Sequence, residues 1–225
     1  MYKACIFDLD GTLTDTVESL TYSVNATLKE LGLGQITKEQ CKAFVGYGAR
    51  RLIENALQAS GDPQLLRVEE AMNVYGRIFK EYCTYRVAPY EGIVEMLEQL
   101  QCMGMQLAVL SNKPHLQTLD VVKTFFGNEI FAHVMGQQEG IPRKPDPTAA
   151  LMIAEKLGVS KEECLYIGDS DTDMQTGNAA GMATVGVTWG FRTREVLIEH
   201  DATHIIDRPE EIMKVVKGAT EYVRV

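Results

Sequence analysis

The chain has little histidine, four residues in 225, and a single tryptophan. Its five cysteines (Cys5, Cys41, Cys83, Cys102 and Cys164) are odd in number and have neither zinc-knuckle nor redox-pair spacing. A disulfide scaffold is thereby excluded, and reduced thiols in a cytoplasmic protein are expected. Positive charge is also short: 22 Lys and Arg against 31 Asp and Glu leave a net charge of −9. No basic stripe exists to hold a nucleic acid. No apolar run is long enough to span a bilayer, and the opening MYKACIFDLD is too acidic for a secretory leader, so no membrane partner is expected. Repeats, a His-Glu-x-x-His pair, a Gly-x-Ser-x-Gly elbow and a Walker loop are all missing. His200 and His204 are four apart, but His204 is expected to open a strand, which spoils a helical metal pair.

What is present is alternation. Short apolar runs at 4–7, 107–110, 130–135, 164–167, 183–187 and 205–206 fit buried parallel strands. Helical patterns lie between them, as at 92–103 and at 147–158, where Gly158 supplies the stop signal. The predicted fold is α/β, a doubly wound, Rossmann-like parallel sheet. One stretch interrupts it. Residues 15–85 are helical by pattern, with stripes over 17–31, 49–59 and 68–82. They predict an inserted all-α cap over the strand ends, and leave residues 1–14 and 86–225 as the catalytic core.

Four clusters follow predicted strands. Asp8-Leu9-Asp10-Gly11-Thr12 places two carboxylates where strand alternation stops; one suits a nucleophile and the other proton exchange, with a divalent cation offsetting their repulsion. Ser111-Asn112-Lys113 offers a hydroxyl and backbone amides for phosphoryl oxygens, though it also reads as a loop start. In Arg143-Lys144-Pro145-Asp146-Pro147 the prolines fix the backbone around an ammonium that can neutralise phosphate charge. Gly168-Asp169-Ser170-Asp171-Thr172-Asp173 carries three carboxylates suited to magnesium, some of which also suit helix capping. Parallel strands present these ends on one sheet edge, so one cleft can collect all four.

These motifs, in this order, resemble the haloacid dehalogenase-like phosphohydrolases along nearly the whole chain. The resemblance implies Asp8 as nucleophile, Asp10 as acid/base, and Ser111 and Lys144 holding the phosphoryl group. It implies Mg²⁺ on the Asp8 side chain, the Asp10 carbonyl and Asp169, with Asp173 assisting. Thr12 and Asn112 join the substrate-binding set. Phe44-Val45-Gly46-Tyr47-Gly48-Ala49, Lys144-Pro145-Asp146-Pro147 and Thr188-Trp189-Gly190-Phe191-Arg192 are similar to phosphoglycolate phosphatases. In the cap, glycines flanking Tyr47 predict a loop that dips into the cleft, with Gly46, Tyr47 and Arg50 as substrate-binding residues; Arg50 or Arg51 would pair with a substrate carboxylate.

The expected partner is a small phosphorylated metabolite, and the expected assembly a monomer or homodimer. Asp10 argues against haloacid dehalogenases and phosphonoacetaldehyde hydrolases, which need no acid there. A β-phosphoglucomutase-like mutase, an inorganic pyrophosphatase and a receiver-like phospho-aspartate signalling module remain as alternatives.

Overall fold

The computed structural model describes residues 1–218. Its six-stranded sheet is wholly parallel and contains β1 (Ala4–Phe7), β4 (Gln106–Pro114), β5 (His133–Gln137), β6 (Cys164–Gly168), β7 (Ala183–Val187) and β8 (His204–Ile206). The spatial order β5-β4-β1-β6-β7-β8 puts the first strand in the middle, and the chain reverses direction across the sheet between β1 and β6. A crevice opens at such a reversal, outside the carboxyl ends of the two strands.

Strand alternation explains why both faces are covered. Cys5 and Phe7 of β1 pack with Leu107 and Val109 of β4 against α5 (Ile93–Cys102), α6 (His115–Phe126) and α10 (Ile212–Val216). Ala4 and Ile6 point the other way, with Tyr166 of β6, against α7 (Thr148–Leu157) and Ala180 of α8 (Asp171–Ala180). α9 (Arg194–Glu199) packs beside α8. Gly158 ends α7 in the left-handed region, at φ 66°, the role its position predicts.

The insert forms four helices: α1 (Val17–Glu30), α2 (Lys38–Phe44), α3 (Ala49–Ser60) and α4 (Val68–Tyr82). They share a separate core in which Leu28, Ile53, Leu57 and Phe79 are fully buried, each side chain contributing about 1.5–3 kcal/mol. Where the insert leaves the sheet, β2 (Thr14–Asp15) pairs antiparallel with β3 (Ala88–Pro89), a two-residue tie with no apolar periodicity to announce it. Among the described residues no helix is long and apolar enough to cross a membrane.

Two strands differ from expectation. β5 starts at His133, because Ile130 and Phe131 are apolar for packing and not for pairing: Phe131 meets the Phe126 ring edge-on at 5.7 Å. β4 runs on to Pro114 with a register irregularity after Leu110, so Ser111, Asn112 and Lys113 belong to an irregular strand end and not to a free loop.

Candidate active site

Asp8 follows the last residue of β1, and its amide still donates to the Ile167 carbonyl of β6 at 2.8 Å. The nucleophile candidate is thus fixed to the crevice by a sheet bond. Gly11 then turns the chain at φ 92°, where a side chain would be strained and would also collide with the Asp169 carboxylate. After β6, Ser170 caps α8 and forms a reciprocal capping box with Asp173. Asp8, Asp169 and Asp173 each turn a carboxylate oxygen into one buried cluster, all within 4.8 Å of one another.

Lys144 is the counter-charge. Its ammonium lies 2.7 Å from Asp8 and 2.7 Å from Asp173, and donates to the Leu110 carbonyl at 3.1 Å. Burial lowers its proton affinity, but Asp173 and Asp8 more than offset this and hold it charged well above the ordinary lysine range. Burial pushes Asp8 upward despite Lys144, and the neighbouring Asp173 and Asp169 add to the rise. Burial, then Asp173, raises Asp169 to about 7. One ammonium therefore does not neutralise three buried carboxylates. The hard, all-oxygen donor set and its unmet negative charge fit a divalent cation.

The motif following β6 divides its carboxylates among different jobs. Asp169 accepts from the Phe191 amide at 2.7 Å and from the Thr12 hydroxyl at 3.2 Å. Asp173 serves both the cluster and the capping box. Asp171 turns the other way, to Tyr47 of the cap and to Arg192 at 3.4 Å.

A cleft lies between core and cap. Asp8, Asp10, Ser111, Lys144 and Asp169 line its floor; Leu20, Leu52, Tyr75 and Phe79 line its cap wall. Asp10 faces the cleft with its carboxylate 2.8 Å from the Lys113 ammonium.

Other expected binders are placed differently. Thr12 serves Asp169. Asn112 lines the cleft, but its amide group is spent on the Gly46 carbonyl (2.8 Å) and on the Lys144 backbone (3.0 Å), which makes it a clamp between cap loop and core. Gly46 reaches the cleft, at φ 118°. Tyr47 and Arg50 do not line it. Tyr47 bonds Asp171, and Arg50 pairs with Glu69 at 2.9 Å on the outer face of the cap. The helix that starts at Ala49 turns Arg50 and Arg51 away from the cleft, Arg51 toward Glu54 at 3.6 Å.

Sequence reasoning passed over Lys113, Arg192 and the Tyr75–Phe79 wall. Lys113 stands inside a segment read for its hydroxyl and amides. Arg192 closes the Thr188–Arg192 segment, to which no role was given. Tyr75 and Phe79 are four apart on an amphipathic helix, a spacing shared with any core pair.

Fold and site together place the chain in a family: it belongs to the haloacid dehalogenase-like hydrolases, whose family model matches residues 5–187. A phosphoglycolate phosphatase of Pseudomonas syringae pv. tomato is 31% identical over 223 residues, covering 97% of this chain and 80% of that protein. One from Aquifex aeolicus is 31% identical over 213 residues, covering 95% and 96%. Among solved structures, a candidate phosphoglycolate phosphatase from Lactobacillus delbrueckii subsp. bulgaricus superposes with a TM-score of 0.87 at 31% identity, over 96% of this chain and 98% of that one. The chain is accordingly a phosphatase, a hydrolase of phosphoric monoesters similar to the phosphoglycolate phosphatases.

Proposed function

We propose that the protein is a magnesium-dependent phosphatase that hydrolyses a small phosphomonoester through a phosphoaspartate on Asp8, with phosphoglycolate the first substrate to test. The observation that carries this is the placement of Asp8: buried, 2.7 Å from Lys144, in one cluster with Asp169 and Asp173, on the floor that Asp10 also lines.

Mg²⁺ would be held by the Asp8 and Asp169 carboxylates and the Asp10 carbonyl, with Asp173 assisting; when bound it supplies charge neutralisation between phosphate and carboxylates. The residues do the rest. An Asp8 oxygen attacks phosphorus and the ester P–O bond breaks. Asp10 gives its proton to the departing alkoxide, a poor leaving group without it. Asp10 then takes a proton from water, whose oxygen cleaves the acyl phosphate and regenerates Asp8. Lys144 and the Ser111 hydroxyl hold phosphoryl oxygens and orient them for in-line attack. The cap covers Asp8 and keeps bulk water from the first step. Such enclosure suits turnover, whereas a signalling phosphoaspartate must stay readable from outside.

The test is phosphate release by the purified protein from phosphoglycolate, pyrophosphate, sugar phosphates and nucleotides. Release from a monoester with Mg²⁺, at least about 100-fold weaker in EDTA, is expected. Full activity in chelator, or phosphoryl transfer to a sugar without phosphate release, overturns the proposal.

A further inference from the structure

The cleft has a floor for the phosphoryl group and an apolar cap wall, and one cation between them is not assigned by the chemistry above. The Lys113 side chain is 1% exposed, and its ammonium pairs with Asp10 at 2.8 Å and lies 4.9 Å from the centre of the Phe79 ring. Among the described residues, Asp10 is its one carboxylate partner within ion-pair distance. Other cations near the cleft are committed elsewhere: Lys144 to Asp8 and Asp173, and Arg192 to cap carbonyls and Asp171. The cap arginines expected to meet a substrate carboxylate point outward to Glu69 and Glu54.

We infer that Lys113 is the specificity-determining residue for a second anionic group on the substrate, the carboxylate of a phosphoglycolate-like ester. The inference rests on the phosphatase reading above and adds to it the residue that reads the ester's carboxylate. An ester bound with phosphorus at Asp8 and its bridging oxygen at Asp10 brings its alcohol portion beside Lys113. A carboxylate two bonds from that oxygen then gives the buried ammonium a second partner, in a site where the aromatic wall keeps water away. A neutral alcohol of the same size offers it nothing. Sites built to pair a charged group discriminate strongly against analogues that lack it. Phe79 favours the arrangement too, since its ring face accepts the cation without competing for its N–H groups.

The experiment compares phosphoglycolate with ethyl phosphate, of similar size but lacking the carboxylate, in the wild type, Lys113→Met and Lys113→Gln, with Lys113→Arg as conservative rescue. The wild type is expected to favour phosphoglycolate in kcat/KM. The neutral variants are expected to cut that ratio by about 10- to 100-fold, mainly through the KM for phosphoglycolate, and Lys113→Arg to recover part of it. An unchanged ratio, or an equal loss on both esters, overturns the inference. A second measurement needs no turnover: thermal stabilisation, of the wild type and of Lys113→Met, by glycolate against ethylene glycol. Equal effects of the two overturn the inference by themselves. If glycolate stabilises in a Lys113-dependent way but no ester is hydrolysed, the phosphatase reading falls and the anion site stands.

Discussion

The floor and the cap wall of the cleft are built by different means. Floor residues follow β1 and β6, stand at the end of β4 or, as Lys144 does, come after β5, and the sheet positions them: the Asp8 amide is bonded into β6, and Lys144 is held by Asn112 from the end of β4. Wall residues come from helices with a core of their own, and polar bonds such as Asn112 to Gly46 and Arg192 to Lys42 link that insert to the sheet. Chemistry is thus placed on groups that the sheet fixes, and selection, on the inference above, falls to Lys113, where the end of β4 meets the Phe79 face of the cap wall. Substitutions at Asp8 and its neighbours on the floor should therefore change how fast any ester reacts, and those at Lys113, where floor meets wall, which ester is preferred.

The largest effect is expected from Asp8→Asn, which keeps shape but removes the attacking oxygen. The loss in kcat should be at least about 10³-fold and equal for every ester. Wild-type protein quenched in acid during turnover should carry an alkali-labile, hydroxylamine-sensitive phosphoryl group that the variant lacks. Stability should not suffer, because burial and like-charged neighbours already disfavour the charged form of Asp8. A variant with more than a trace of activity breaks the covalent route, and a loss confined to one ester breaks the contrast between floor and wall.

How far the sequence disclosed the molecule follows the same contrast. Strand-end motifs were readable because parallel strands present their carboxyl ends on one edge of the sheet, so the carboxylates trailing runs such as 4–7 and 164–167 can share one crevice. The cap loop was not readable. Glycines at 46 and 48 signalled an unusual backbone, which φ values of 118° and 85° show, but not which way the next side chains face. Arg50 was expected inside and points out. Lys113 reaches the cleft because β4 continues irregularly to Pro114, an outcome of pairing with β5 that the local Ser-Asn-Lys-Pro signal does not contain.

A middle-sized effect is expected in metal binding, and it tests the charge imbalance of the floor. Asp169 is raised to about 7, so without a cation the folded state gains stability where this carboxyl is protonated and loses that gain as pH climbs through about 7. Asp8 is shifted in the same direction by burial. A cation needs the ionised carboxylates and competes with those protons. The Tm gain from saturating Mg²⁺ should accordingly be small near pH 5.5 and reach about 5–10 °C near pH 8. His133 and His204, both lowered by burial, weaken the fold at acid pH with or without metal, so they cancel in the difference. A Tm gain that does not vary with pH would mean that the carboxylates are already ionised, and that Lys144 balances the cluster alone.

The smallest effect, and the sharpest test of the division of labour, is expected at Arg192. Its guanidinium donates to the Lys42 carbonyl at 2.8 Å and the Val45 carbonyl at 2.6 Å, and pairs with Asp171 at 3.4 Å. It thereby ties the C-terminal end of α2 to the loop after β7, next to the Tyr47–Asp171 bond and the Asn112–Gly46 clamp. A helix C-terminus carries partial negative charge and unpaired carbonyls, so a cation suits it. With three such ties available, losing one should weaken closure without abolishing it. Arg192→Ala is expected to raise KM about 3- to 10-fold, by the same factor for phosphoglycolate and for ethyl phosphate. Asp171→Asn should cost less, and the double variant less than the product of the two, because the two residues share the contact between them. Uniform weakening would set Arg192 apart from Lys113, which should act on the carboxylate ester selectively. If Arg192→Ala instead changes the ratio between the two esters, the guanidinium touches the substrate, and closure and recognition are not separate functions at the cap wall.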